Sequence, residues 1–309
     1  MSRNEPFGYF PGCSGQGTSA EYDSSTRAVC AELGIVLKDL NDWNCCGSTP
    51  AHTIDHCLST ALSARNLIQA GNQGLFDVIT PCPSCLKNMR VALRNMSDEH
   101  IGPKASKLLG GETLREGHTV KSVMQVIHEQ AGTEGVAAKA IRPLAGLKVA
   151  PYYGCLMSRP QGLMQLGDPE NPMVMEELLA AAGADVLAFP LKVECCGASM
   201  AIPVNEAATR LSGKLIDLAV TLDADVIAVA CPLCQMNLDT RQGQINRANK
   251  THYKMPIMYY TQLLGLAFAL PHNELGLDKL VVDPQPVLDK LADHRRTATA
   301  KVEQTEGAA

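Results

Sequence analysis

The sequence has few aromatic residues and no apolar run long enough to cross a membrane. Phe, Trp and Tyr make up 4% of its 309 residues, so aliphatic and small side chains must fill the core. The longest apolar segment, 257–270, is shorter than the ~20 residues that a membrane-spanning helix needs. No apolar signal segment follows the polar residues 1–6. We therefore expect a globular, cytoplasmic protein without a transmembrane segment.

Positive charge is not in excess either. The 27 Lys and Arg residues are outnumbered by 32 Asp and Glu residues, which gives a formal net charge of -5. A nucleic-acid-binding protein typically carries a basic patch, so nucleic acid is not an expected partner. With 46% hydrophobic and 19% charged residues, the composition is that of a well-folded chain.

Cysteine is abundant, and ten of the 12 cysteines form one pattern that occurs twice. Each copy contains a lone cysteine, a Cys-Cys-Gly triplet and a Cys-Pro-x-Cys motif, in that order. The gaps between these parts are 31 and 35 residues in the first copy and 39 and 34 in the second. Because thiols stay reduced in the cytoplasm, this framework indicates metal binding or catalysis before disulfides.

Strand and helix signals alternate in the same order in both halves. The predicted strands are 7–11, 35–40 and 76–80 in the first half and 148–153, 185–189, 225–230 and 256–260 in the second. A cysteine element follows each of the first three strands of a half. This order predicts an α/β fold of two pseudo-symmetric repeats, each a small parallel sheet flanked by helices. The five thiols of a repeat should then meet at the carboxyl ends of its strands.

The duplication also predicts the domain limits. We expect a first domain at 1–142, a second at 143–283 and a polar tail at 284–309, disordered over its last dozen residues. Within the first domain, helices are predicted from Ile54 and from Thr119, followed by a linker at 130–147. The second half has about eight extra residues, which we place in 159–172. The two halves should differ most there.

Five thiols are one more than a structural zinc site or a cubane 4Fe-4S cluster takes, because each of these has four ligands. Adjacent cysteines suit a larger cluster, in which neighbouring thiolates reach different irons. Zinc in both halves, with one spare thiol in each, remains an alternative because Cys-x-x-Cys suits either metal.

The two units resemble the cysteine-rich CCG domains in the B subunit of heterodisulfide reductase. The resemblance extends to about Leu280 and includes Tyr152-Tyr153-Gly154-Cys155 and the segment 260–267. It implies that each half binds a noncubane 4Fe-4S cluster with its five cysteines as ligands. The implied ligands are Cys13, Cys45, Cys46, Cys82 and Cys85 for one cluster, and Cys155, Cys195, Cys196, Cys231 and Cys234 for the other.

The same resemblance implies the activity of an oxidoreductase. The chain would be the catalytic subunit of a larger complex that cleaves or forms a disulfide, with one electron from each cluster and no catalytic residue beyond the clusters. The alternatives are a bacterial sulfur-oxidising relative of this subunit and a non-catalytic electron-transfer subunit.

The sequence contains no ferredoxin-type cysteine run, dinucleotide fingerprint or flavin signature. A separate electron-transfer protein should therefore dock on this chain. The resemblance implies that the partners are the ferredoxin-like C subunit and the flavin-containing A subunit of a heterodisulfide reductase-type complex.

Other residues near the motifs have simpler interpretations. Cys30 and Cys57 lie on apolar helix stripes and are expected to pack in the core, where a free cysteine behaves as a small hydrophobic residue. Gly12, Gly15 and Gly17 follow a strand but lack the order of a phosphate-binding loop, so we expect them to let the backbone approach a cluster.

Five further residues flank the cysteine motifs. We interpret them as solvated or packed side chains, with a proton shuttle as the alternative role for the first of them. They are His52, His56, Trp43, Lys192 and Glu194.

Overall fold

The computed structural model describes residues 5–306, and the side chains of these residues except Thr49 and 298–306. The described chain contains two four-stranded parallel sheets, which confirms the predicted fold class. The strands of the first sheet are β1 (Phe7–Tyr9), β2 (Leu37–Asp39), β3 (Asp77–Thr80) and β4 (Thr119–Ser122). Those of the second sheet are β5 (Lys148–Tyr152), β6 (Asp185–Val186), β7 (Val226–Val229) and β8 (Ile257–Tyr259).

Helices connect these strands in both halves. The first half contains α1 (Gly12–Gly15), α2 (Ala20–Glu32), α3 (Ser48–Ile54), α4 (His56–Asn72), α5 (Pro83–Met96), α6 (Gly102–Leu108), α7 (Val123–Gln130) and α8 (Gly132–Lys139). The second half contains α9 (Cys155–Ser158), α10 (Gln161–Met164), α11 (Val174–Ala181), α12 (Asn205–Thr221), α13 (Pro232–Thr240), α14 (Gln242–Asn249), α15 (Tyr260–Ala267), α16 (His272–Leu275) and α17 (Gln285–Glu306). Short 3-10 helices lie at Ala198–Met200 and Leu277–Lys279. No described helix combines the length and the apolarity needed to cross a membrane.

Both sheets have the same strand order, β2-β1-β3-β4 and β6-β5-β7-β8. In the first sheet, Gly8 of β1 pairs with Lys38 of β2 on one side and with Val78 of β3 on the other. The chain leaves β1 and β3 in opposite directions across the sheet. Such a switch point opens a crevice at the carboxyl ends of its two strands, where α/β proteins bind ligands. Cys13 and Cys82 follow β1 and β3, and the second half repeats this placement.

One hydrophobic cluster extends across both halves. Helix α2 packs against α15 of the other half, and α7 packs against α11. Tyr22 on α2 stacks on Tyr259, with 3.9 Å between ring centroids and 6° between ring planes. Nearby, the hydroxyls of Ser25 and Thr261 lie 2.8 Å apart. Since buried aromatic rings contribute strongly to core energetics, these contacts fix how the halves sit relative to each other.

The extra residues of the second half also contact the first half. We call residues 159–172 the insertion loop. Arg90 on α5 donates hydrogen bonds to the carbonyl oxygens of Leu163 (2.7 Å) and Met164 (2.6 Å). The Met164 side chain is buried in the core of the first half. The predicted difference between the halves is therefore found in this loop, and it fastens the second half to the first.

Two elements of the first half differ from the predicted ones. The prediction of a helix from Thr119 was wrong, because residues 119–122 form β4. Ser122 then caps α7, since its side chain accepts from the Gln125 backbone N–H while the Gln125 side chain accepts from the Ser122 N–H. The linker predicted at 130–147 contains helix α8.

The helix predicted from Ile54 is two helices. The Asp55 side chain accepts a hydrogen bond of 2.6 Å from the Leu58 backbone N–H and caps α4. Helix α3 therefore ends at Ile54, whose side chain is 78% exposed. The buried face of α4 includes Leu67 and Ile68, and Leu58 lies outside it.

The polar tail is helical where the structure describes it. Helix α17 begins after Pro284 and buries Val287 and Leu291. The prediction of disorder over the last dozen residues was wrong as far as Glu306, and residues 307–309 lie outside the described chain. The predicted domain limits at 142/143 and 283/284 stay predictions.

Candidate metal centres

The fold brings the five cysteines of the first motif together. Cys13 follows β1, Cys45 and Cys46 follow β2, and Cys82 and Cys85 lie at the start of α5 after β3. The Sγ atoms of Cys46 and Cys85 are 3.3 Å apart. Cys46, Cys82 and Cys85 are buried, whereas Cys13 and Cys45 are exposed. The set therefore extends from the core to the surface.

The second motif forms a matching set. The Sγ atoms of Cys196 and Cys234 are 3.5 Å apart, and the Gly197 backbone N–H donates to the Cys195 sulfur at 3.3 Å. Cys196, Cys231 and Cys234 are buried, while Cys155 and Cys195 are half-buried. No thiol of the second set is fully exposed, so this set lies deeper than the first.

The thiols of each set perturb one another's ionisation. Hydrogen bonds with Cys45 and Cys85 lower the pKa of the Cys46 thiol to about 3. The same hydrogen bonds raise the pKa of the Cys45 and Cys85 thiols. In the second set, a hydrogen bond with Cys155 lowers the pKa of the Cys195 thiol to about 6. One with Cys234 lowers the pKa of Cys196. Such sets share protons, and cations that replace those protons would relieve the crowding of negative charge.

Two asparagines support the Cys-Cys-Gly turns, and the sequence interpretation missed them. Asn88 donates to the carbonyl oxygen of Cys46 (3.2 Å) and to its sulfur (3.7 Å). Asn237 donates to the carbonyl oxygen of Cys196 at 2.8 Å. Both follow the last cysteine of Cys-Pro-x-Cys by three residues, and comparing the two repeats position by position would have revealed them.

Serines on the helices after the turns complete this support. Ser63 on α4 donates to the Cys46 carbonyl oxygen (3.2 Å), and Ser212 on α12 donates to that of Cys196 (2.8 Å). The two turns are therefore held by the same pair of residue types, an amide and a hydroxyl. Because each carbonyl has two lone pairs, both donors can be accepted at once.

Glycine allows the backbone to approach the thiols, as the sequence predicted for Gly12. Gly12 and Gly154 have φ angles of 71° and 72°. A Cβ atom would lie 3.2 Å from the Cys85 sulfur at the first position and 2.8 Å from the Cys234 sulfur at the second. Any other residue would displace a thiol at either place.

The two donor sets differ from a single-ion zinc site, which is one of the two metal centres that the sequence left open. In the described chain, no group of three or more His, Cys, Asp or Glu side chains is arranged to hold a single metal ion. The thiols contact one another in series instead, from Cys45 through Cys46 to Cys85 and Cys82. Four thiols in series, with Cys13 as a fifth in the same set, fit a cluster of several metal ions better than one tetrahedral zinc.

A cavity of about 270 Å³ lies between the halves. All five thiols of the second set line it, and the facing wall comes from the first half through Ser48, His52, Ser84, Lys87 and Asn88. No thiol of the first set lines this cavity. The cavity therefore belongs to the second centre and is completed by the other half.

The other residues that flank the cysteine motifs are packed, exposed or paired with another side chain. Trp43 packs edge-on against Phe10 at 5.2 Å between centroids, and His56 and Glu194 are exposed. Lys192 is buried and forms an ion pair of 2.5 Å with Glu176, a partner that the sequence did not indicate. Trp43, His56 and Glu194 thus have the solvated or packed roles that we expected.

The two cysteines outside the motifs also stay apart from the centres. Cys30 is buried in the core, where burial raises the pKa of its thiol to about 12. Cys57 is half-buried at the start of α4. Core packing is confirmed for Cys30 and applies only partly to Cys57.

Comparisons with known proteins agree with the duplicated architecture. A family model described as a CCG cysteine-rich domain matches residues 7–90 and 149–239. Over 278 residues the chain is 32% identical to the 8-methylmenaquinol:fumarate reductase membrane anchor subunit of Wolinella succinogenes, covering 90% of this chain and 97% of that protein. Over 288 residues it is 28% identical to the B subunit of the ferredoxin/F(420)H(2)-dependent CoB-CoM heterodisulfide reductase of Methanosarcina acetivorans, covering 91% and 95%.

A solved structure shares the fold. The crystal structure of a hypothetical protein from Helicobacter pylori matches with a TM-score of 0.69 at 14% sequence identity, over 91% of this chain and 53% of that one. The chain thus corresponds to about half the length of that structure. Both cysteine motifs, both sheets and these relatives lead to one assignment. The chain belongs to the CCG cysteine-rich domain family, carries two copies of the domain, and is a homologue of the heterodisulfide reductase B subunit.

Proposed function

We propose that the chain is an iron-sulfur oxidoreductase subunit that cleaves or forms a disulfide. The observation that carries this proposal is the cavity between the halves, which all five thiols of the second set line. Its thiol wall would hold a cluster, and its polar wall contains no thiol and is free to contact a substrate. A subunit that only passes electrons onward would need the thiol wall for its cluster, but it would not need a polar wall open to a substrate.

The two cofactors are proposed to be noncubane 4Fe-4S clusters, held by the five cysteines of each motif. When bound, each cluster would supply one electron. Reduction of a disulfide breaks one S–S bond, consumes two electrons and two protons, and yields two thiols, which gives a reason for two centres in one chain. Asn88 and Asn237 would fix the Cys-Cys-Gly turns, and the buried thiols would keep water from the inner side of each centre.

The proposed partners are the ferredoxin-like C subunit and the flavin-containing A subunit of a heterodisulfide reductase-type complex. Cys13 and Cys45 of the first set are exposed, so an electron-transfer partner could approach this centre from outside. The second centre is covered by the first half and would meet the substrate. A cytoplasmic location and a role as the catalytic subunit are parts of this proposal.

A second candidate is an electron-transfer subunit that has no sulfur substrate. The observation that favours it is the 32% identity to a subunit of an 8-methylmenaquinol:fumarate reductase over 97% of that protein. In such a complex the two centres would pass electrons between partner subunits. The cavity would then have to be filled by the cluster or by a partner side chain.

Metal analysis and turnover separate these functions. Anaerobically purified protein should contain about eight irons and an equal amount of acid-labile sulfide per chain, by the four-iron assignment of each centre. With an artificial reductant it should reduce small disulfides. The double variants Cys45→Ser with Cys46→Ser, and Cys195→Ser with Cys196→Ser, should each lose one cluster and nearly all turnover. The control Cys30→Ala should keep its iron.

Three results would contradict the proposal. Stoichiometric zinc without labile sulfide would exclude iron-sulfur centres. Full iron without binding of any disulfide would favour the electron-transfer subunit. Substantial turnover by a double variant that lacks its cluster would exclude the mechanism with one electron from each centre.

A further inference from the structure

The residue three positions before the lone cysteine of each motif differs between the two repeats. The first repeat reads Phe10-Pro-Gly-Cys, and the second reads Tyr152-Tyr-Gly-Cys. The two side chains occupy the same place, because the Cε1 atom of each lies 3.8 Å from the position that a Cβ atom would take on Gly12 or Gly154. The second repeat therefore has a phenol hydroxyl where the first has only an aromatic ring.

The Tyr152 hydroxyl is buried beside the second set of thiols. The side chain is fully buried, and its hydroxyl donates a hydrogen bond of 2.7 Å to the carbonyl oxygen of Glu194, the residue before the Cys-Cys pair. Burial raises the pKa of Tyr152 well above its ordinary value, and the negative charge of four cysteines of the set raises it further. These four are Cys234, Cys196, Cys155 and Cys231. Tyr152 is not among the residues that line the cavity, so its hydroxyl faces the thiols and not a substrate.

This hydroxyl has one hydrogen and two kinds of acceptor near it. The Glu194 carbonyl oxygen accepts the hydrogen in the structure. Cys234 makes the larger contribution to the low pKa of the Cys196 thiol, and the Tyr152 hydroxyl adds to it. A hydroxyl hydrogen rotates to suit its acceptors, and a hydrogen bond to an ionised acceptor is roughly twice as strong as a neutral one. More negative charge on the sulfurs should therefore turn the hydrogen from the Glu194 carbonyl towards Cys196.

We infer that Tyr152 tunes the second centre, because its hydroxyl stabilises the reduced state and so raises the reduction potential of that centre. Hydrogen bonds to sulfur and solvent exposure both set the potential of an iron-sulfur centre. The second set has no fully exposed thiol, whereas Cys13 and Cys45 of the first set are exposed. Burial disfavours added negative charge, so the deeper centre needs a donor that water supplies to the other. This inference rests on the proposed function, because it concerns how electrons that enter at the first centre are drawn to the centre beside the cavity.

A purely structural role for this hydroxyl would be to satisfy the Glu194 carbonyl, and the first repeat solves that problem differently. The equivalent carbonyl there belongs to Asn44 and accepts a hydrogen bond of 2.9 Å from the Asn66 side chain. The second repeat has Leu215 at the position of Asn66, three residues after the serine that supports the turn. Both solutions satisfy the carbonyl. Only that of the second repeat places a hydroxyl among the thiols, and this difference can be tested by exchanging one solution for the other.

The test is a redox titration of anaerobic, iron-loaded protein followed by EPR, with each signal assigned through the double cysteine variants. Tyr152→Phe should keep its iron and disfavour reduction of the second centre about tenfold, as expected for the loss of a hydrogen bond to a charged group. For a one-electron couple this is a midpoint potential about 59 mV more negative. Adding Leu215→Asn should leave the potential equally low, because the new amide satisfies Glu194 without placing a hydroxyl among the thiols. The control Tyr260→Phe removes a buried hydroxyl that has no hydrogen-bond partner and should change neither potential.

Three results would overturn the inference and leave the proposed function intact. The first is a second-centre potential that stays the same or rises in Tyr152→Phe. The second is a lowered potential that returns to the wild-type value when Leu215→Asn is added, because the hydroxyl would then act only through the carbonyl. The third is loss of iron from Tyr152→Phe, which would assign the hydroxyl a structural role. Wild-type protein without iron-sulfur centres would reject the inference and the proposed function together.

Discussion

Replacing Gly154 by alanine should remove iron from the second centre, because the added Cβ would collide with a ligand sulfur. That atom would lie 2.8 Å from the Cys234 Sγ, whereas ordinary contacts between such atoms are about 3.5–4.0 Å. The sulfur would have to move by about 0.7 Å or more, while metal–ligand distances tolerate only about 0.2 Å. Cys234 is buried and its sulfur already lies 3.5 Å from that of Cys196, so it has little room to retreat.

Two other glycines separate this collision from backbone strain. Gly12 has nearly the same φ, but a Cβ there would lie 3.2 Å from the Cys85 sulfur. Gly34 has a φ of 73°, and a Cβ there would meet no atom within 4 Å. All three alanine variants should lose stability because of the positive φ, by about 1–2 kcal/mol. Gly154→Ala should lose up to about 3 kcal/mol, because the ψ of 173° at Gly154 lies in a region that is nearly restricted to glycine. Only the two near a sulfur should also lose iron.

The assay is iron and acid-labile sulfide per chain in anaerobically purified protein, with urea unfolding as the measure of stability. Gly154→Ala should lose about half of the iron, by the assignment of four irons to each centre. Gly12→Ala should lose a smaller part, and Gly34→Ala should lose none. If Gly34→Ala lost as much iron as Gly154→Ala, or if Gly154→Ala kept all of its iron, contact between the added Cβ atom and the Cys234 sulfur would not explain iron loss.

Three further predictions concern the surroundings of the centres. Lys192→Met should lower the free energy of unfolding in urea by about 3–5 kcal/mol, because it leaves the buried Glu176 carboxylate without its cation. Adding Glu176→Leu should recover most of that loss. If the losses of the two variants added up instead, the two residues would not be coupled. In iron-loaded protein at pH 8, iodoacetamide should label Cys57 before Cys30, because the Cys30 pKa of about 12 leaves almost no thiolate; mass spectrometry that finds Cys30 labelled first would refute this. Arg90→Ala should speed proteolysis of the insertion loop, since its hydrogen bonds to two carbonyl oxygens of that loop are lost, and an unchanged cleavage rate would contradict the fastening role.

The repeated cysteine order predicted much of the architecture. Because each motif follows a strand, the α/β class and the gathering of five thiols at one sheet edge could be inferred from spacing alone. The strand order β2-β1-β3-β4 could not, since several parallel orders satisfy the same alternation. The cavity wall from the first half also depends on how the halves pack, and no local pattern encodes that.

Short elements were the least predictable. Val120, Val123 and Ile127 have helical spacing, yet the first of them lies in β4 because pairing with β3 outweighs the local preference. The Ser122 and Gln125 capping box, four residues of sequence, was the signal that marked the true start of α7. Ile54 was misplaced for a similar reason, because Asp55 begins a new helix after it.

The cavity that joins the halves has a consequence for how the duplication evolved. The second motif supplies every thiol of the cavity, and the first half supplies its facing wall. The two repeats therefore contribute different surfaces to this cavity. Encoding both in one chain fixes their ratio at one to one and keeps the wall beside the thiols it serves. Substitutions in the first repeat are therefore selected partly for their effect on the cavity, although no cysteine of that repeat lines it.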